Sequence, residues 1–421
     1  MPKQWKQTAL PAALGIGKAL IKWLVLASVV GVLVGAVGSV FAHTLGFAND
    51  LRAQQPLIVL ALPVSGLLIV FLYRIFHNTD DRGTNMVIAS IQSSAGIPGK
   101  MAPLIFVSTV MTHLCGGSAG REGAALQLGG SIANQLGKLL RFNEDDRHLV
   151  VMCGMSAGFS ALFGTPMAAA IFSMEVVSVG VMQYAALVPC VTAALMAGFV
   201  ARFFRVPPEV FPVAELPVLT PSLFFRTAGL AVLVGVVSIL FCLVLHGAEH
   251  AYKKLMKNHY LRITAAGCLV AGLALLLGTD RYLGSGMGII EGLFHHGDLR
   301  WYDFLLKILF TALTLGAGFK GGEIVPSFAI GAAFGALMAA FLGLPLPLAA
   351  ACGMTGLFCG VTNSPLTALL ISFELFGLEG MPNYLITVAV SYLVSGYTGL
   401  YHAQKILYSK TDSHFIDTNA R

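Results

Sequence analysis

The sequence predicts an all-α polytopic membrane protein built from two related halves. Three observations carry this. The 421 residues are 56% hydrophobic and only 11% charged, about half the charge of a soluble chain. The segment Cys153–Val176 recurs as Cys352–Leu375 at a constant spacing of 199 residues. Glycine-rich runs interrupt the apolar sequence and each opens a new helical pattern. A net charge of +6 and a mean hydropathy of +0.79 fit a membrane protein with basic loops and show no nucleic-acid patch.

Taken in order, apolar segments fall near residues 20–46, 56–75, 86–113, 123–140, 148–179 and 181–203. After a connector they resume near 222–247, 262–278, 303–318, 325–344, 347–377 and 383–401. A helical span needs about 20 apolar residues, so several are too short and others hold a span plus a re-entrant piece. Broken helices are tolerated only where they line a cavity or are buried in protein. The expected organisation is a tail over 1–16, a first repeat over 17–212, a proline-rich connector over 213–221 and a second repeat over 222–401. A short tail over 402–421 leaves no length for a regulatory domain. Basic residues near both ends and at Lys253, Lys254, Lys257 and Arg262 predict that both termini face the cytoplasm. No cleavable signal peptide is read at the start, since the first apolar run is too long.

The repeat is more than shared composition. Pro166 pairs with Pro365, Ser173 with Ser372 and Glu175 with Glu374, all at the same spacing. Two halves with broken helices are a transporter pattern, with the substrate near the midplane where the repeats meet. Glu175 and Glu374, at one repeat position, are expected to cap helix ends or bind loop backbone. The seven cysteines lie in apolar segments without metal spacing and read as packing residues. His295 and His296 sit in a polar loop, and no metal or cofactor is implied.

Three elements carry the chemistry. The first is Gly83-Thr84-Asn85-Met86-Val87, after Asp80-Asp81-Arg82. The second is Gly120-Arg121-Glu122-Gly123-Ala124. The third is Gly321-Gly322-Glu323-Ile324-Val325-Pro326. Each brings bare backbone N–H groups to a helix start, and such starts attract an anion without a full positive charge. That suits conduction better than a buried lysine, which would hold the anion too tightly to release it. Glu122 is an acid at bilayer depth, and such residues are functional hypotheses by default. Placed where an anion would bind, it competes with that anion and acts as a gate. A simple ion pair with Arg121 is disfavoured, because sequence neighbours on a helix do not face each other. Glu323 has an alternative partner in Lys320, three residues earlier. Tyr401, after the last span, could donate its hydroxyl to an anion or lie in an interfacial belt.

These motifs resemble the CLC family of chloride channels and proton-coupled anion antiporters over about residues 17–405. The Gly-Arg-Glu-Gly run, the Gly-Gly-x-x-x-Pro run, the duplicated Pro/Glu segments and the late tyrosine match in order and spacing. The resemblance implies the CLC fold of two inverted-topology repeats of tilted, broken helices. It also implies a homodimer with one pore per subunit in the inner membrane. Glu122 matches the family's gating glutamate, Thr84 the central hydroxyl residue and Tyr401 the central tyrosine. Ile324 falls where phenylalanine is usual, and Val325 where a hydroxyl residue is expected. The internal relay glutamate falls on Val176, beside Glu175.

The departures resemble the bacterial fluoride-transporting clade, which exports fluoride against an inward proton flow. Fluoride is strongly hydrated, so stripping its water demands several donors. Asn85 and Thr84 can supply them, and Glu323 can when protonated. Glu323 would also offer a proton route in place of the missing relay. The expected function is fluoride/proton antiport, with a chloride/proton antiporter or a passive chloride channel as alternatives. A remote alternative is an intramembrane serine hydrolase, from Gly154-Met155-Ser156-Ala157-Gly158, with His113 or His246 as base. The repeat replaces that element with Gly353-Met354-Thr355-Gly356, which argues for helix packing instead.

Overall fold

The computed structural model describes residues 2–78, 82–93, 96–211, 213 and 216–421, with side chains from residue 15 onward. Asp80, Asp81 and Pro212 lie outside the described residues. Among those described, 16 α-helices form two series of eight in matching order. The first comprises α1 (Pro2–Gln54), α2 (Leu62–Ile75), α3 (Thr84–Gln92), α4 (Met101–Leu114), α5 (Glu122–Leu139), α6 (Glu144–Phe163), α7 (Pro166–Glu175) and α8 (Leu187–Phe203). The second comprises α9 (Pro221–Leu255), α10 (His259–Leu277), α11 (Met287–His296), α12 (Asp303–Gly316), α13 (Ile324–Leu342), α14 (Leu346–Thr362), α15 (Pro365–Phe376) and α16 (Met381–Val394). Six helical stretches among the described residues are long and apolar enough to cross a membrane. The short members α3, α7 and α11 begin or end inside the protein body, as broken helices must.

Local sequence sets the breaks. The apolar run 148–179 divides into α6 and α7 at Gly164, whose φ of 72° ends α6 in a left-handed cap. Its counterpart 347–377 divides at Asn363, with φ 53°. Pro166 and Pro365 then occupy first-turn positions, where a missing N–H is harmless.

Glycines let the central helices touch backbone to backbone. A Cβ on Gly129 would lie 2.0 Å from the Gly154 carbonyl, which joins α5 to α6. Gly331 and Gly353 repeat that contact between α13 and α14, at 2.4 Å. Gly158 packs likewise against the Ala125 carbonyl. These four helices form the buried centre. The small residues of the Gly154–Gly158 element are therefore packing residues.

The paired glutamates exchange caps across the repeats. Glu374 accepts the Met167 and Ala168 N–H groups, both at 2.9 Å, at the start of α7. Glu175 accepts the Leu366 and Thr367 N–H groups, at 2.9 and 2.8 Å, at the start of α15. The expected capping role is thus observed, each acid serving the other half.

Three local expectations change. His295 and His296 close the helix α11 rather than lying in a loop, because Ile289, Ile290 and Leu293 give a buried helical stripe. The helix α1 begins at Pro2, inside the stretch expected as a tail. Residues beyond 402 also fold. Strands β2 (Lys405–Tyr408) and β3 (Phe415–Asn419) pair as an antiparallel hairpin, and β2 runs parallel to β1 (Ser178–Val179).

Candidate functional site

The glycine loops before α5 and α13 cross at the centre of the molecule. Gly120 N–H donates to the Gly322 carbonyl at 2.6 Å, and Gly322 N–H returns to Gly120 at 2.7 Å. The approach excludes side chains. A Cβ on Gly120 would sit 2.7 Å from Glu122 Oε2 and 3.1 Å from the Gly322 oxygen. The start of α3 joins the same point. A Cβ on Gly123 would lie 3.2 Å from Thr84 Oγ1 and 3.3 Å from Glu323 Oε2. The three predicted helix starts converge, and none carries a side-chain N-cap. Their first N–H groups have no intrahelical partner.

Glu122 is fully buried in the first turn of α5. Its Oε2 accepts the Arg121 N–H at 3.0 Å, so the carboxylate occupies a backbone donor of the glycine loop. Its Oε1 lies 3.5 Å from Arg121 Nε and has no hydrogen-bond partner. This corrects the expectation that neighbours could not pair. Arg121 is the N-cap, outside regular helix geometry, and the carboxylate folds back over it. The Arg121 guanidinium points its Nη2 at Glu209 and keeps only the long Nε contact to Glu122, while its backbone N–H lies in the glycine cradle.

Glu323 Oε2, Gln127 Oε1 and Tyr401 Oη are also shut off from solvent without hydrogen-bond partners. Glu122 and Glu323 lie within electrostatic range of each other and of Tyr401. Tyr401 is fully buried, so it is not an interfacial belt residue. Thr84 Oγ1 stands 3.5 Å from both the Gly123 carbonyl and Gln127 Nε2. Asn85 Oδ1 accepts the Ala403 N–H at 2.9 Å, which leaves the amide nitrogen as its donor. Met86 packs against the core and brings no polar group. Ile324 and Val325 are buried in the first turn of α13 and contribute backbone only.

Two cavities flank this centre. One, of about 640 Å³, is lined by Asn85, Gln127, Glu249, Lys320, Glu323 and His402, among others. Lys320 Nζ also sits 4.4 Å over the Tyr73 ring. The second, of about 390 Å³, is lined by His43, Asp50, Arg121, Pro207 and Glu209. Val176, at the relay position, is buried and apolar, and neighbouring Glu175 is committed to α15.

Sequence reasoning missed three residues, Gln127, Glu209 and Lys307, and gave a fourth, His113, only the part of a hydrolase base. Gln127 lies one turn into α5. Glu209 sits in the proline-rich stretch, whose local sequence does not reveal what it meets. His113 is buried with Nε2 3.2 Å from the Gly120 carbonyl. Lys307 is buried and donates to Ser118 Oγ at 2.9 Å and the Gly284 carbonyl at 2.7 Å, holding the loop that leads to Gly120. A lysine inside the apolar run 303–318 was the available signal.

The hydrolase constellation does not form. Ser156 Oγ donates to the Ala169 carbonyl at 3.2 Å. His113 is engaged at Gly120, and His246 stacks on His402 at 4.1 Å.

The family described as voltage gated chloride channel matches residues 65–396. A chloride/fluoride channel protein of Pseudomonas syringae pv. tomato is 37% identical, over 97% of this chain and 92% of its own. An H(+)/Cl(-) exchange transporter of Vibrio vulnificus is 26% identical, over 85% and 83%. The crystal structure of a CLC-type fluoride/proton antiporter is 35% identical, with a TM-score of 0.89 over 92% of this chain and 98% of that one. A slow cyanobacterial Cl-/H+ antiporter at 21% identity and a TM-score of 0.77 shares the fold. With its family match, its crossed glycine loops and its cap-exchanging repeats, the chain belongs to the voltage-gated chloride channel family of CLC proteins.

Proposed function

We propose that this protein exports fluoride in exchange for protons, gated by Glu122. The observation that carries the reading is the Glu122 carboxylate folded onto the Arg121 N–H at the meeting point of the glycine loops. A carboxylate and an anion compete there for one set of donors. Protonation removes the charge that holds the side chain on that N–H, and the position opens to the anion. Deprotonation closes it, so the two fluxes alternate.

Fluoride is favoured over chloride by the donor set and by the relatives. Thr84, Asn85, Gln127 and Tyr401 surround the centre with hydroxyl and amide groups, which suit a small, strongly hydrated anion. The relatives at 35% and 37% identity carry fluoride in their descriptions. Glu323 takes the place of the missing relay acid, because it faces both the centre and the 640 Å³ cavity. Arg121, Gly123, Ile324 and Val325 present backbone N–H groups to the anion, while Gly120, whose N–H is spent on the Gly322 carbonyl, contributes the room for that approach rather than a donor. The working form is a homodimer in the inner membrane, with both termini cytoplasmic. In that orientation the 640 Å³ cavity opens to the cytoplasm, on the side of Lys253 and Lys405. Residues 17–212 and 222–401 form the two repeats.

The test is ion efflux from liposomes holding purified protein, loaded with fluoride or chloride and read by ion-selective electrodes and a pH-sensitive dye. Fast fluoride efflux with proton uptake and negligible chloride efflux is expected. Glu122→Gln should abolish the proton flux and leave fluoride either blocked or passive. Coupled exchange that persists in Glu122→Gln rules out the gate, and comparable chloride efflux makes the protein a general halide transporter.

A further inference from the structure

We propose that Glu209 is a positioning carboxylate that shares the Arg121 guanidinium with Glu122, and so sets the external proton concentration at which Glu122 leaves the anion path. This role rests on Glu122 being the gate, as proposed above.

The geometry is a three-group chain. Arg121 Nη2 donates to Glu209 Oε1 and to the Leu162 carbonyl, the latter at 3.3 Å. Its Nε stands 3.5 Å from Glu122 Oε1, and its backbone N–H donates to Glu122 Oε2. One guanidinium therefore serves two carboxylates, and the trio is net negative when both acids are ionised. Glu209 holds the end-on nitrogen, and Glu122 receives only the long side contact. Competition of this kind weakens the hold on ionised Glu122, and direct repulsion between the acids acts in the same sense.

The place of Glu209 suits this role. It lies in the loop after α8, with its N–H on the Phe163 carbonyl at 3.3 Å, where α6 ends. It lines the 390 Å³ cavity at the far end of α1 from Lys22. With the start of α1 cytoplasmic, this cavity faces outside. The charged and titratable groups that face Glu209 are Arg121 on the α5 loop, His43 and Asp50 on α1, and Glu291 on α11. Those that face Glu122 are Arg121, Glu209, Glu323 and Tyr401. Burial pushes the Glu209 carboxyl above the usual carboxylate range, with Arg121 opposing. Glu209 therefore also responds to external protons, and its protonation would hand the guanidinium to Glu122.

The experiment compares wild type, Glu209→Gln and Glu209→Asp in liposomes at fixed internal pH. External pH is varied, and coupled fluoride and proton fluxes are recorded. Glu209→Gln removes the competitor without changing size, so ionised Glu122 is held more firmly. The midpoint of external pH for exchange should move by roughly half to one unit toward acid, with proton coupling retained. Glu209→Asp keeps the charge and should restore most of the midpoint. An unchanged midpoint, or one moved toward alkaline pH, overturns the inference while the gate stands. Absence of proton coupling in wild type sinks the gating reading itself. A loss of rate with no shift in midpoint in either variant marks a structural role only and also overturns the inference.

Discussion

At the residue scale, the site depends on what Gly120 lacks. Two loops approach to 2.6 and 2.7 Å through backbone bonds, and Glu122 folds into the remaining space. Gly120→Ala would put a methyl 2.7 Å from Glu122 Oε2, 3.0 Å from Pro326 Cδ and 3.1 Å from the Gly322 oxygen. Real Cβ contacts do not reach 2.7 Å, so either the Glu122 carboxylate or the crossing must move. Fluoride efflux in liposomes should fall at least tenfold. Gly272→Ala is the matched control, because nothing lies within 4 Å of its added methyl. It sits within α10 and should leave transport intact while adding about 0.5–1 kcal/mol of stability. Equal effects of the two substitutions would contradict this account of Gly120. The glycine run was legible because an acid among glycines, inside membrane-grade sequence, is too costly to keep without a use. The Glu209–Arg121 contact was not, because it joins a loop to a helix start 88 residues away.

At the element scale, α7 and α15 begin with a proline and are capped by a glutamate from the opposite half. The caps are unequal. Glu175 accepts a third bond, from Thr367 Oγ1 at 2.6 Å, and is more deeply buried than Glu374. Replacing either acid with glutamine turns one acceptor into a donor that faces an N–H. Loss of one charge-assisted bond costs roughly 1.5–3 kcal/mol. Glu175→Gln should therefore lower the thermal unfolding midpoint in detergent more than Glu374→Gln does. Equal or reversed shifts would mean that the extra hydroxyl bond contributes nothing. This exchange was legible in part: the constant 199-residue spacing marked both acids as structural, but not the partner each one serves. The helix α11 was not legible. Gly284, Gly286 and Gly288 dilute its apolar signal, and its buried stripe is only three residues deep. The segments at 148–179 and 347–377 were legible as span plus re-entrant piece, because Pro166 and Pro365 fix where a new helix can start.

At the scale of the whole molecule, the places where the two halves meet include the crossed glycines, the exchanged caps, the close packing of α2 on α10 through Gly66 and Gly267, and the segment that carries Tyr401. The last is tied down by residues expected to form a tail. Gly399 N–H donates to the Arg421 carbonyl at 2.9 Å, and Arg421 N–H donates to Tyr397 at 2.9 Å. Leu400 N–H reaches the Val361 carbonyl at 2.8 Å. Lys410 Nζ donates to Asn363 Oδ1 at 2.6 Å, to the Tyr392 carbonyl at 2.9 Å and to Ser395 Oγ at 3.1 Å. The hairpin thus clasps both sides of Tyr401 and the left-handed Asn363 turn between α14 and α15. Membrane periodicity gives no hint of this, since the alternation in Lys405–Tyr408 and Phe415–Asn419 is short and polar. Deleting residues 410–421 should free the Gly399–Tyr401 segment and reduce fluoride efflux at least tenfold, while the helical body still assembles in the membrane. Lys410→Met is the milder version: it removes three hydrogen bonds, keeps β3 in place, and should reduce efflux by less. Deletion with full retention of fluoride transport would mean that the helices alone position Tyr401, and the hairpin would then be a stabilising cover rather than part of the pore's support.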